Sequence, residues 1–191
     1  MSKKKELIYE SALNAFANHG YSYTTMDAIA EEAKVAKGTL YYHFKTKEEL
    51  FLYVNQKGVQ MLIDSVAEAI KNPTLTPQQR IVHVLDEHLR FFSENEKLCT
   101  LLLTITSGDF ERDVIIRDLL ANYFTLMESY LGQLQQNGLI DSALEVQTLV
   151  SAFFGSIAFT VLRKMYRKEE IYTDDTRNTL LSMCKGVLGV H

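Results

Sequence analysis

Apolar positions along the chain fall into helical stripes, such as Met26, Ile29, Ala30 and Ala33, or Leu180, Leu181, Cys184, Val187 and Leu188. No β-branched alternating run breaks them, and only two prolines occur in 191 residues. The pattern predicts an all-α fold of about nine helices, over 3–19, 26–33, 37–43, 47–71, 77–92, 94–106, 110–136, 143–168 and 174–188. Start signals support these bounds. Capping-box patterns occur at Thr24-Thr25-Met26-Asp27, Thr46-Lys47-Glu48-Glu49, Thr76-Pro77-Gln78-Gln79, Ser93-Glu94-Asn95-Glu96 and Ser142-Ala143-Leu144-Glu145. Thr76-Pro77 is the strongest, because Pro77 stands where the first helical residue tolerates proline. Gly20 and Asn137-Gly138 are stop signals.

Two short helices at 26–33 and 37–43, about three residues apart, form a helix-turn-helix pattern. Met26, Ile29, Ala30, Ala33, Val35 and Leu40 supply its interior, with the two alanines small enough for close helix approach. In such a motif the second helix enters the major groove and the first crosses the backbone. The spacing alone equally describes an ordinary three-helix core.

The wider pattern decides between them. It runs Ala12-x-x-x-Phe16-x-x-x-Gly20-Tyr21, then Thr24-Thr25-Met26-x-x-Ile29-Ala30-x-x-Ala33. It ends in Val35-x-x-Gly38-Thr39-Leu40-Tyr41-Tyr42-His43-Phe44-x-x-Lys47-Glu48-x-Leu50. Over residues 7–51 this resembles the TetR family of transcriptional regulators. The resemblance implies a helix-turn-helix DNA-binding domain at 1–47 and a helical ligand-binding and dimerisation domain at 48–191. It implies a homodimer on a palindromic double-stranded DNA operator, most simply a repressor released by a small effector of unknown identity. Thr24, Thr25, Lys37, Gly38, Thr39, Tyr41, Tyr42, His43 and Lys47 are the implied DNA-contact residues, with Tyr42, His43 and Lys47 on phosphates.

The residue chemistry agrees, with alternatives beside it. Gly38 lacks a Cβ, so backbone can press on base edges, or it is a packing glycine. Lys37 and Thr39 flank it as candidate contacts to base edges or phosphate. Tyr41 also suits the core, and His43 also suits a helix C-terminus. Thr24 and Thr25 either donate to phosphate or simply cap. Two positions depart from the family: Lys34 replaces the usual turn glycine and Ala36 the usual capping serine. A left-handed Lys34 costs about 1 kcal/mol, and the lost cap about 1 kcal/mol.

The 143–168 helix is apolar on nearly all sides between Leu149 and Leu162, which predicts burial all round. In the family the last two helices pair with their mates, which implies dimer contacts at Phe154, Ala158, Val161, Leu180, Cys184 and Val187. Leu89, Phe92, Leu103, Tyr123, Phe124, Met127, Tyr130 and Phe153 are expected to line an effector cavity or to fill a core. Such side chains suit a hydrophobic or amphipathic effector.

Composition narrows the picture further. Two cysteines, Cys99 and Cys184, exclude a disulfide scaffold and read as reduced. The basic start is interrupted by Glu6 and Glu10, so no signal-peptide core follows. The apolar stretch Leu149–Leu162 falls short of the ~20 residues of a membrane span, so a cytoplasmic protein with no membrane partner is expected. Net charge is −4, yet residues 1–57 sum to +1 and the remainder to −5. Long-range attraction to DNA is therefore weak, and binding must rest on a few placed cations, hydroxyls and helix ends. No cofactor is implied and no enzyme is expected: neither a glycine-rich phosphate loop nor a G-x-S-x-G motif occurs. Two alternatives remain, a DNA-binding protein without an inducer and an enzyme built on His83-Val84-Leu85-Asp86-Glu87-His88. That segment is read as an exposed polar face.

Overall fold

A computed structural model describes residues 3–103 and 110–188, leaving the side chains of 110–117 and 187–188 outside the description. Nine helices and no strands occur among the described residues. They are α1 (Lys3–Tyr23), α2 (Met26–Glu32), α3 (Lys37–His43), α4 (Lys47–Lys71), α5 (Pro77–Glu94), α6 (Glu96–Leu103), α7 (Phe110–Gln136), α8 (Val146–Arg167) and α9 (Asp174–Leu188).

Local chemistry explains most of the boundaries. Gly20 leaves the helical region at φ 78°, ψ 164°, so regular α1 stops there as its sequence predicts. Thr76 and Gln79 form the full capping box, each side chain bonded to the other's backbone N–H. Gly138, at φ 73°, follows the end of α7. Three expected boxes do not form. Thr24 turns its hydroxyl to the Gly20 carbonyl, and Thr25 caps α2 in its place. Ser93 stays inside α5, and Asn95 closes that helix by donating from its side chain to the Phe91 carbonyl. Ser142 is likewise passed over: Asp141 holds the Ala143 N–H, and α8 starts three residues later than expected, at Val146. At Thr46 the hydroxyl caps Glu49, but the Glu49 carboxylate accepts from Lys45 N–H rather than reaching Thr46.

The chain divides into two compact units, residues 1–59 with 97–116, and residues 60–96 with 117–191. This differs from a division at residue 47, because the first part of α4 is core to the first unit. Leu50, Phe51 and Val54 are buried, and the Phe51 ring meets Phe16 of α1 edge-on at 5.1 Å. Gly58 admits α6 closely: a Cβ there would stand 2.6 Å from a Leu98 methyl.

In the second unit α5 packs on α8 and α9. Arg177 of α9 grips Asp86 of α5 through two hydrogen bonds, at 2.6 and 2.9 Å, which raise the Arg177 pKa. Leu149, Val150, Ile157, Ala158 and Val161 of α8 are buried. The helix is not buried all round, however, since Ser151, Ala152 and Phe159 are exposed. By length and composition alone, α8 as a whole is long and apolar enough to cross a membrane, unlike the shorter stretch read from the sequence.

Candidate nucleic-acid interface and apolar pocket

The turn between α2 and α3 is set by backbone chemistry. Thr25 caps α2 by accepting from Ala28 N–H, at 3.2 Å. Lys34 takes the left-handed conformation, φ 53°, and lets Val35 N–H return to the Ala30 carbonyl at 3.0 Å. Ala36 opens α3 without a side-chain cap. Met26, Ile29, Ala30, Ala33 and Leu40 are buried between the helices and Val35 is half-buried, as the pattern predicts.

That packing turns one face of α3 outward. Lys37 and Gly38 are exposed, Thr39 and His43 half-buried, Tyr41 exposed, and Tyr42 stands 76% exposed. No atom lies within 4 Å of the point a Gly38 Cβ would occupy, so this glycine has no packing role in the unbound protein. Lys37 pairs with Asp27 at 2.6 Å, and the hydrogen bond to that carboxylate raises its pKa.

Lys47 and Thr24 hold the corner beneath this face. The Lys47 ammonium donates to the carbonyls of Tyr21 (2.9 Å) and Thr24 (3.0 Å) and lies 4.4 Å from the Tyr21 ring centroid. An ammonium has three donors, so one remains for an anion. Thr24 departs from its expected role. It is buried, with its hydroxyl 2.8 Å from the Gly20 carbonyl and 3.2 Å from that of Ala15, so it joins α1 to α2 and turns no donor outward.

The second unit contains an apolar pocket of about 100 Å³. Its walls are Ile81 and Val84 of α5, Met127, Tyr130 and Leu131 of α7, Leu149, Ala152, Phe153 and Ser156 of α8, and Met183 and Cys184 of α9. Of the expected cavity residues, Met127, Tyr130 and Phe153 meet there. Leu89, Phe92 and Tyr123 are instead fully buried in the core, Phe124 packs against Phe154, and Leu103 belongs to the first unit. The wall residues of α5 escaped the sequence reading, although 81 and 84 share a helical face with buried His88. Burial pushes the Cys184 thiol up to about 11.

Behind the pocket wall lies a buried polar pair. His88 is fully buried, contrary to the expected exposed face. Its Nδ1 lies 2.7 Å from the Val84 carbonyl, which can only accept. Nδ1 therefore carries the proton, and Nε2 accepts from the Tyr123 hydroxyl at 2.7 Å. Burial pushes the His88 pKa down to about 4 and raises that of Tyr123. No group of three or more His, Cys, Asp or Glu able to hold a metal occurs among the described residues.

The expected dimer residues are engaged within the protomer. Ala158, Val161, Leu180 and Cys184 are buried, and the Phe154 ring meets Tyr123 at a tilt and Phe124 edge-on. Val187 lies outside the described side chains. Among the described residues, the large apolar side chains that α8 and α9 leave exposed are Phe159, Tyr166 and Met183.

Comparison with known proteins adds an independent line. Residues 8–54 match the family model for bacterial regulatory proteins of the tetR family, and residues 55–173 match that for the YsiA-like protein C-terminal region. The fatty acid metabolism regulator protein of Bacillus subtilis is 25% identical over 185 residues, covering 96% of this chain and 94% of its own. The crystal structure of FadR from Bacillus subtilis in complex with stearoyl-CoA superposes with a TM-score of 0.84 at 25% identity, covering 98% of this chain and 100% of that one. The probable acrEF/envCD operon repressor of Escherichia coli is 38% identical over 63 residues, 32% of this chain and 29% of that one. With a matching reading head and a matching C-terminal region, the chain belongs to the TetR family of bacterial transcriptional regulators.

Proposed function

We propose that this regulator is a cytoplasmic homodimeric repressor whose effector is a long-chain acyl-CoA. The observation that carries the reading is the nearly all-hydrocarbon pocket between α5, α7, α8 and α9. It supports the reading together with a likeness over the full chain to a regulator solved with stearoyl-CoA. A pocket of about 100 Å³ is smaller than the ~150 Å³ cavity that accommodates benzene. A long acyl chain must therefore part the walls, and Met127 and Met183 are the flexible side chains best able to yield. An effector that binds only an opened domain draws the population toward that form, which is how its binding shifts DNA affinity.

On the DNA side the contacts are assigned to Thr25, Lys37, Gly38, Thr39, Tyr41, Tyr42, His43 and Lys47. Lys37, Gly38 and Thr39 face base edges; Thr25, Tyr42, His43 and Lys47 face phosphates. Two copies of α3 about 34–36 Å apart would read successive major grooves of a near-palindromic operator. The exposed Phe159, Tyr166 and Met183 form the surface assigned to the second copy. Thr24 is assigned to the fold alone.

The test begins with an operator selected from randomised duplex DNA. Stearoyl-CoA is expected to dissociate the complex and to raise the melting temperature of the free protein. A complex that persists at saturating acyl-CoA, with an unchanged melting temperature, overturns the reading and leaves a DNA-binding protein without this effector.

A further inference from the structure

Among the described residues two buried side-chain atoms lack a hydrogen-bond partner, Asn55 Oδ1 and the Tyr130 hydroxyl. Asn55 is anchored by its other end, donating to the Phe51 carbonyl. Tyr130 differs, because it lines the pocket while only 5% exposed. A buried hydroxyl without a partner is rare in a folded protein, and phenylalanine would pack the same wall without it.

Tyr123 supplies an internal comparison. It lies seven residues before Tyr130 on α7, two turns away and on the same helical face. Its hydroxyl is met by His88 within the core. Two phenols thus lie one above the other on α7, the first satisfied by protein, the second with its hydroxyl buried and unpartnered on a ring that lines the pocket. The surroundings of the second define what would satisfy it. Hydrocarbon from Ile81, Val84, Leu131 and Phe153 makes the wall apolar, so a polar group that enters must be carried on an apolar chain and find a partner there. Burial raises the Tyr130 pKa to about 12, which keeps the phenol protonated as a donor, while the positive charge of Arg80, half-buried and donating to the Asn72 carbonyl, works the other way. A protonated, unpartnered phenol among hydrocarbon calls for an acceptor oxygen, and a carbonyl or carboxylate joined to an apolar chain supplies one.

We propose that the Tyr130 hydroxyl donates a hydrogen bond to the acyl oxygen of the effector and so selects acyl compounds over plain alkyl ones. This rests on the acyl-CoA reading above. The acyl oxygen belongs either to a thioester or to a free carboxylate, and the same hydroxyl serves both.

The experiment compares Tyr130→Phe with the wild type using stearoyl-CoA, stearate, and the S-octadecyl thioether of CoA, which lacks the carbonyl. Free Tyr130→Phe is expected to melt at or above the wild-type temperature, because it loses an unpartnered group. Wild type is expected to bind the thioester about tenfold more tightly than the thioether, the effect of one hydrogen bond. Tyr130→Phe is expected to bind the two alike. If stearate alone loses affinity in the variant, the free acid is the source of the oxygen and the thioester assignment falls. Loss of affinity for all three ligands equally, or for none, overturns the proposal while leaving acyl-CoA as effector. A lower melting temperature of the free variant also overturns it, by revealing a structural partner. Failure of wild type to bind any of the three removes both this proposal and the reading beneath it.

Discussion

Asp27, in the first turn of α2, holds the Lys37 ammonium at 2.6 Å and so ties down the leading cation of α3. The carboxylate engages a charge that the proposed interface would offer to DNA, and it adds a negative charge to a surface that must approach a polyanion. Asp27→Asn is expected to strengthen binding to random duplex DNA several-fold at low salt, and less as salt rises. Fluorescence anisotropy at several salt concentrations measures this. Weaker binding would mean that the pair orients Lys37 productively, which is the opposite role.

Gly38 separates folding from binding. No atom lies within 4 Å of its missing Cβ, so Gly38→Ala should fold normally. It should gain up to about 1 kcal/mol from helix propensity. The same methyl would stand between α3 and the bases, where overpacking by about 1–3 kcal/mol lowers operator affinity roughly tenfold or more. Denaturation and operator titration on one sample check both halves. A variant that binds normally would return Gly38 to a role outside the contact surface.

The features legible in the sequence are those whose cause lies within a few residues. Gly20, Gly138 and the Thr76–Gln79 box act locally, and each ends or starts a helix where expected. The helix-turn-helix was legible for the same reason, down to the left-handed Lys34. The failures depend on distant partners. His88 does lie on the apolar face of Ile81, Val84, Leu85 and Phe92, but a polar ring there gains a partner only from Tyr123, 35 residues away, which the local pattern does not reveal. Thr24 and Thr25 are neighbours of one type, and only the carbonyls of Ala15 and Gly20 select which is turned inward. Along α8, apolar residues occupy nearly every side, so periodicity cannot say that Val161 faces its own protomer while Phe159 faces out.

His88 predicts an acid-sensitive sensor domain. Its folded pKa is about 4, against an unperturbed value near 6.5. The unfolded chain therefore binds the extra proton first as pH falls. The neutral imidazole's contribution is fully present above pH 6.5 and is lost between about 6.5 and 4. The span corresponds to about 3 kcal/mol as an order of magnitude. Denaturant titrations at pH 7 and pH 5 should show wild type losing more stability than His88→Gln, which keeps an amide in place of the ring. Equal losses would mean that the buried pair tolerates the charge.

Phe159 and Tyr166 are seven residues apart on α8, hence on one face, and they stand 76% and 91% exposed in the single protomer. Two large aromatic side chains along one helix, with Met183 of α9 also bare, form the kind of apolar surface that marks an interface. In the proposed homodimer this face is covered by its copy, and a two-fold interface opposes each residue with its symmetry-related counterpart region. Phe159→Glu removes apolar area and brings carboxylates toward that shared face, while touching little within its own protomer. The expected result is a shift from dimer to monomer at micromolar concentration in sedimentation equilibrium, with helical content preserved. Operator affinity should collapse, because one reading head makes half the contacts and loses the advantage of linkage between the two. A wild-type protein that sediments as a monomer would overturn the homodimer, and a Phe159→Glu variant that remains dimeric would place the interface elsewhere on the molecule.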